Sequence, residues 1–409
     1  MIEQGEAGRP RSRKRGSHLS GRSRRAHVRM AKGDSLAALV ANRQVIVCCG
    51  TGGVGKTTTA AALAFEAARQ GHKACVVTID PARRLADSLG VDMLTNAPHR
   101  IGGPWDGELW ALMLDPKKTF DDLVERYAAN AEQAQRILAN RLYRTLSDAL
   151  SGTQEYMAME KLYELHTGGA YDVVVVDTPP TRNALDFLNA PGRLNRFLGN
   201  KIFRILLMPT RTYVRAISIA AQAFLRTITK VAGAEIVSDA IGFFQAFEGM
   251  EEGFRERAAH IERLLAEDVT GFVLVIAPRR DSIEEAEFFA AKLAESGIPV
   301  EALVVNRIHP SFPADAPGRD EPFLAGHADG AGRDPGSGNE GRGDSTRALD
   351  ALVTNLDNFR AVARREELSY ERLATAVAPA PVARVPLLPS DVHDIDGLAV
   401  IASCLFPEP

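Results

Sequence analysis

The chain has 409 residues, 45% of them hydrophobic and 25% charged, with a formal net charge of −3. That balance belongs to a folded globular protein and excludes whole-chain disorder. No run approaches the ~18 consecutive apolar residues of a membrane span, so a cytoplasmic protein that does not cross a bilayer is expected.

The charge is unevenly placed. Residues 1–32 carry ten Lys or Arg against two Glu, which leaves −11 on the remainder. They read as a disordered basic arm ahead of a domain over residues 33–409. Such arms can touch nucleic acid or anionic lipid, but a solvated extension accounts for this one and makes no strong case for nucleic acid. Met30 is an alternative start, because "MAKGDSLAALVANRQ" leads directly into the first apolar run, and no secretory apolar stretch follows the arginines.

Five short apolar runs come next: "VIVCC" (45–49), "ACVVTI" (74–79), "DVVVVD" (172–177), "FVLVIA" (272–277) and "ALVVN" (302–306). Near-continuous β-branched runs suit parallel strands covered on both faces. Helical patterns separate them. "TTTAAALAFEAARQ" closes at Gly71, and "SIEEAEFFAAKLAES" opens on Ser282 as an N-cap and closes at Gly297. Alternation of this kind predicts an α/β fold with a doubly wound, mostly parallel sheet.

Two stretches break the alternation. Residues 119–166 read as a helical block, and residues 192–265 as a helical subdomain inserted into the sheet domain. In the insert, Ile217, Ala221, Phe224, Ile228 and Val231 form one stripe, while Arg226 and Lys230 lie on another face. Residues 311–346 hold 12 Gly or Pro in 36 positions and read as a disordered loop. The sheet resumes with "VARVPLLP" (382–389), and a last amphipathic segment runs from Ile395 to Leu405.

Chemistry concentrates at the first strand. Gly50, Gly55, Lys56 and Thr57 satisfy G-x-x-x-x-G-K-[ST] between a strand and a helix, the context that gives this motif meaning. Along Gly50, Thr51, Gly52, Gly53, Val54 and Gly55, backbone N–H groups wrap phosphates and the helix N-terminus adds its partial charge. Lys56 reaches the β- and γ-phosphates, the Thr57 hydroxyl ligates Mg²⁺, and Thr58 adds a bond to the α-phosphate. ATP and Mg²⁺ are thus the expected cofactors. Asp177 closes the strand of "DVVVVDTPP" and supplies a second metal-side group. Asp80, in "TIDPARRLADSLG", falls at the carboxyl edge of the sheet, where ligands of such folds bind.

These motifs in this order resemble the ArsA-like ATPases, which include the arsenite-pump ATPase and the ATPase that targets tail-anchored membrane proteins. "DPA" after the second strand, "DTPPT" (177–181), "VVNRI" (304–308), "LWALMLDP" (109–116), "GTQEYMAMEKLYEL" (152–165) and "VPLLPSDVHDIDGL" (385–398) carry the resemblance. It implies that Asp80 is a water-orienting catalytic residue beside the metal, with residues 80–87 and 177–181 as two switches. It implies that Asn306, with Arg307 beside it, reads adenine, joined by the chain from Pro386 to Asp391. It further implies a homodimer, or a heterodimer with a paralogous ATPase, in which nucleotide state moves the helical insert.

Three departures bear on function. Relatives carry at position 51 a lysine that crosses the dimer interface, and Thr51 is short and neutral. A paralogue lending its lysine, Arg83 or Arg84 as substitute, and a slow switch-like ATPase all remain open. No C-x-x-C occurs, so no zinc is expected. Cys48, Cys49, Cys75 and Cys404 form no cluster at metal spacing, and the first three read as buried thiols. "FRILLMP" and "AIGFFQAFEGM" have the composition of a groove for an apolar client helix or membrane-protein partner, and equally of ordinary bundle core. The expected function is Mg-dependent ATP hydrolysis driving a dimeric switch. The alternatives are a nucleotide-dependent chaperone or regulatory subunit with little turnover alone, and a partitioning ATPase.

Overall fold

The computed structural model describes residues 35–80, 82–141, 143, 153–179, 189–193, 195–196, 239, 242–243, 245–310 and 340–407. The fold set out below is that of the unit Gly33–Pro409. Its strands are β1 (Val45–Cys49), β2 (Lys73–Thr78), β3 (His99–Ile101), β4 (Glu108–Met113), β5 (Val173–Asp177), β6 (Thr270–Ile276), β7 (Val300–Ile308) and β8 (Val382–Pro386). The helices are α1 (Leu36–Asn42), α2 (Lys56–Arg69), α3 (Arg84–Ser88), α4 (Pro116–Tyr127), α5 (Ala131–Ala139), α6 (Thr153–Thr167), α7 (Glu251–Ala266), α8 (Arg280–Glu295), α9 (Glu340–Ala376) and α10 (Ile395–Leu405).

One eight-stranded sheet runs β3-β4-β2-β5-β1-β6-β7-β8. Every pair is parallel except β3 with β4. This is the mostly parallel α/β fold that the apolar runs predict. From β1 the chain passes over β5 to reach β2 on one side, while β6 pairs with β1 on the other. The order therefore reverses at β1, and such a switch point opens a crevice at the carboxyl ends of the strands.

The pleat divides the core in two. Val45, Val47, Val77, Val174 and Val176 face one layer with α4 to α8 and the end of α9. Ile46, Val76, Val175, Val273 and Val304 face the other, with α1, α2, α3 and α10. In α2 the residues Ala60, Ala61, Ala62, Ala64, Ala67 and Ala68 are buried. Small side chains let this helix lie close to the sheet, so the loop before it is fixed above β1.

Several sequence expectations are corrected. Of the two readings of "AIGFFQAFEGM", client groove or core, Phe243, Phe247 and Met250 follow the second: they are buried in the layer that also holds Phe254 of α7, with ring centroids 5.2 Å apart between Phe247 and Phe254. Within the described residues, the end of the expected insert is thus core of the sheet domain, because α7 lays Phe254, Ala258 and Ile261 against it. The stripe from Ile217 to Val231 and "FRILLMP" lie outside the described residues. Helix α9 begins at Glu340, inside the segment expected to be loop to 346. Its C-terminal half is anchored by Tyr370 and Leu373, and helix propagation from an anchored part costs little per residue. Ser282 is not an N-cap; α8 starts two residues earlier with Arg279 at that position.

Among the described residues no helix is long and apolar enough to cross a membrane. Cys48, Cys49 and Cys75 are buried, as the apolar runs imply.

Candidate nucleotide and metal site

The phosphate loop leaves β1 at Cys49 and enters α2 at Lys56. Two glycines are sterically required. A Cβ at Gly50 would stand 2.1 Å from the carbonyl oxygen of Val275, and one at Gly55, whose φ is 91°, would stand 2.0 Å from Nδ2 of Asn306. Lys56 is buried, and its Nζ donates to the Thr51 carbonyl at 2.8 Å, so the lysine spans the mouth of its own loop. Burial pulls its pKa down, while Asp177, the two cysteines and Asp80 pull it up.

Below the lysine lies a hydroxyl–carboxylate chain. Thr57 Oγ1 donates to Oδ2 of Asp177 at 2.7 Å, and Thr78 Oγ1 donates to the same oxygen at 2.8 Å. The other oxygen, Oδ1, is buried with no partner among the described residues. Burial pushes the Asp177 carboxyl up, against the two hydroxyls and Lys56, which hold it down. Buried acceptors are normally satisfied, so an orphaned carboxylate oxygen beside a threonine hydroxyl fits a hard divalent cation. Mg²⁺ uses one or two carboxylates plus phosphate oxygens and water, and Thr57 and Asp177 are the residues that could hold it.

Asp80 follows β2. Its N–H donates to Thr78 Oγ1 at 3.3 Å, its Oδ1 accepts from the Ala82 N–H at 2.9 Å, and its Oδ2 meets Arg84 NH1 at 3.2 Å. Its charge is felt at both Asp177 and Lys56. The four expected side chains, Lys56, Thr57, Asp80 and Asp177, therefore converge, and Thr78 links the last two. Sequence reading misses Thr78, since a threonine ending a strand looks like an ordinary β-former. Arg83, the other expected substitute cation, donates to the carbonyl of Asp92.

Thr51 is turned inward. Only 8% exposed, it donates from Oγ1 to Oγ of Ser282 at 3.2 Å, and that oxygen also accepts the Ala277 N–H at 3.2 Å. Ser282 is fully buried and ties α8 to the loop, which no local pattern reveals across 231 residues. Gly52 and Gly53 are exposed, Val54 is buried and Thr58 half-buried.

The expected base-reading residues meet the loop as well. Asn306 Nδ2 donates to the Val54 carbonyl at 2.8 Å, and Arg307 NH1 donates to the Gly53 carbonyl at 3.0 Å. Pro386 ends β8 in register with Ile308. Asp391 is exposed in the segment that follows.

A family profile described as anion-transporting ATPase (ArsA_ATPase) matches residues 43–321. ATPase GET3B of Arabidopsis thaliana is 26% identical over 67% of this chain and 66% of its own length. ATPase GET3 of Malassezia globosa is 28% identical over 64% of this chain and 72% of its own. A putative arsenical pump-driving ATPase 1 of Aquifex aeolicus is 26% identical over 65% and 64%. Matches thus span roughly two thirds of these relatives. With its phosphate loop between β1 and α2 and the profile match over most of its length, the chain belongs to the anion-transporting ATPase family of P-loop ATPases.

Proposed function

We propose that the protein hydrolyses ATP with Mg²⁺ and uses the nucleotide cycle as a dimeric switch acting on a membrane-protein client or membrane partner. The observation that carries the hydrolytic part is the convergence of Lys56, Thr57, Thr78, Asp80 and Asp177 at the carboxyl ends of β1, β2 and β5. Mg²⁺, when bound, neutralises charge on the phosphates.

Each residue has a separable task. Lys56 exchanges the Thr51 carbonyl for phosphate oxygens and stabilises the charge that develops in phosphoryl transfer. Thr57 and Asp177 would hold the metal. Asp80, whose two oxygens accept from the Ala82 N–H and Arg84, would hold the attacking water in line through a remaining lone pair. Thr78 fixes the spacing between Asp80 and Asp177. The dimer and the membrane-linked client rest on the family, one relative of which is named as a pump-driving ATPase; a cytoplasmic setting follows from the same reading.

A second reading is favoured by Thr51. Its side chain is neutral and faces Ser282, so position 51 offers no cation across an interface, and a chaperone or regulatory subunit that receives its lysine from a paralogue would look like this. A cation supplied in trans is worth roughly 10³–10⁵ in rate. The two readings separate in steady-state ATP turnover of the purified chain measured against protein concentration. Turnover that rises as the chain self-associates supports the switch ATPase. Turnover that stays near background at all concentrations, and appears on adding a lysine-bearing paralogue, supports the regulatory subunit.

A further inference from the structure

Arg307 is the only non-glycine residue with positive φ among the described residues, at 60°. It sits where the pairing of β7 with β8 slips, between Asn306 paired to Val385 and Ile308 paired to Pro386. Bulges of this kind re-aim a side chain and recur beside active sites. Left-handed residues other than glycine persist only where their surroundings over-determine them, and they gather at ligand clamps. Here the re-aimed guanidinium lands on the Gly53 carbonyl.

Three carbonyls of the phosphate loop are held by side-chain donors: Thr51 by Lys56, Gly53 by Arg307 and Val54 by Asn306. In a planar trans peptide the carbonyl of one residue and the N–H of the next point in opposite directions. Fixing the Gly53 carbonyl on the β7 side therefore aims the Val54 N–H away from β7. Fixing the Val54 carbonyl does the same for the Gly55 N–H. Amides aligned in this way make an anion-binding concavity.

We propose that Arg307 is a positioning residue for phosphate, not a reader of the base: its guanidinium locks the Gly53 peptide so that the following amide faces the polyphosphate. The inference rests on the loop being a triphosphate site and assigns Arg307 a role within it. Asn306 keeps a second amide hydrogen for the base while bracing Val54 with the first. Arg307 also has further N–H groups, but the bulge aims its guanidinium at the loop.

The test uses the full chain, calorimetric binding of Mg²⁺ complexes of inorganic tripolyphosphate, ATP and GTP, and the variants Arg307→Gly and Arg307→Lys. Glycine adopts a φ of 60° freely, so Arg307→Gly should fold with an undiminished thermal midpoint. It should nonetheless weaken all three ligands by a common factor of about five, the value of one net hydrogen bond, with the ATP-to-GTP ratio unchanged. Arg307→Lys, which keeps a donor, should recover part of the loss. A loss confined to ATP and GTP with tripolyphosphate unaffected would make Arg307 a base contact and overturn the proposal. Unchanged binding of all three ligands, or a lowered thermal midpoint in Arg307→Gly, would overturn it as well. Failure of the natural chain to bind any of the three would instead remove the triphosphate site itself.

Discussion

Asp177 is the residue at which function and stability should pull in opposite directions. Its carboxylate is 1% exposed, accepts two threonine hydroxyls through one oxygen, and among the described residues leaves the other oxygen without a partner. Leaving a buried acceptor unsatisfied costs about 1–3 kcal/mol, and more when it is charged. Asp177→Asn removes the buried charge while the Thr57 and Thr78 hydroxyls retain an oxygen to donate to. Without Mg²⁺ or nucleotide, the variant should therefore be more stable than the natural chain at pH 7 by about 1–3 kcal/mol, a gain typical of relieving a strained functional site. For a unit of this size that is a rise of about 1–4 °C in thermal midpoint. Saturating MgATP should reverse the order, because stabilisation grows with ligand occupancy and the variant should lose most of its metal-dependent affinity. Paired melting curves with and without MgATP measure both effects. A drop in the ligand-free midpoint of Asp177→Asn would mean that the carboxylate is a structural partner of Lys56, and the metal-site assignment would fail.

Four further outcomes follow from the same geometry. Gly50→Ala should cost at least about 2 kcal/mol, within the range for overpacking, and abolish nucleotide binding, because its methyl would meet the Val275 carbonyl at 2.1 Å; denaturant titration and a binding isotherm check this. Glu160→Gln should cost about 3–5 kcal/mol, the penalty for breaking a buried ion pair, since Glu160 is 1% exposed and pairs with Arg257, whose second terminal nitrogen already lacks a partner among the described residues. Turnover per folded molecule should be unchanged in that variant. Thr51→Lys should lower the thermal midpoint by removing the Ser282 contact, and an unchanged midpoint would show that the inward hydroxyl pair carries no weight. Burial lowers the pKa of His166, so the unfolded chain binds the proton more readily. This contribution to stability is present above the unfolded value of about 6.5, and is lost as pH falls through the folded value. The slope of stability against pH below 6.5 should flatten in His166→Gln, as read by melting at several pH values.

The parts of the site legible in the sequence are those whose chemistry is local. Gly50 to Thr57 can be read because a fixed spacing lies between an apolar run and an alanine-rich helix, and Asp177 because it ends a strand of four valines. The sheet core is legible for the same reason: strands buried on both faces have no polar alternation to confuse them. The edge is less legible. The edge strand β3 and its neighbour β4 carry His99, Arg100, Glu108 and Trp110, and strands near an edge need no continuous apolar run. Contacts across long separations leave no local trace, which is why Thr51 with Ser282, Arg257 with Glu160, and Arg307 with Gly53 are visible only in the fold. The aromatic stretch around Phe243 and Phe247 illustrates the opposite limit, because composition alone does not distinguish a groove from a core.

In the proposed reaction a water held by Asp80 attacks a triphosphate held by Lys56, Thr57 and Asp177. Steady-state ATP turnover and MgATP affinity of Asp80→Asn beside the natural chain test it most directly. The variant's affinity should stay within about threefold while its turnover falls by roughly 10²–10⁴, the contribution of a positioned acid–base group. Turnover equal to that of the natural chain would contradict the catalytic assignment, and a collapse of affinity would place Asp80 in binding instead.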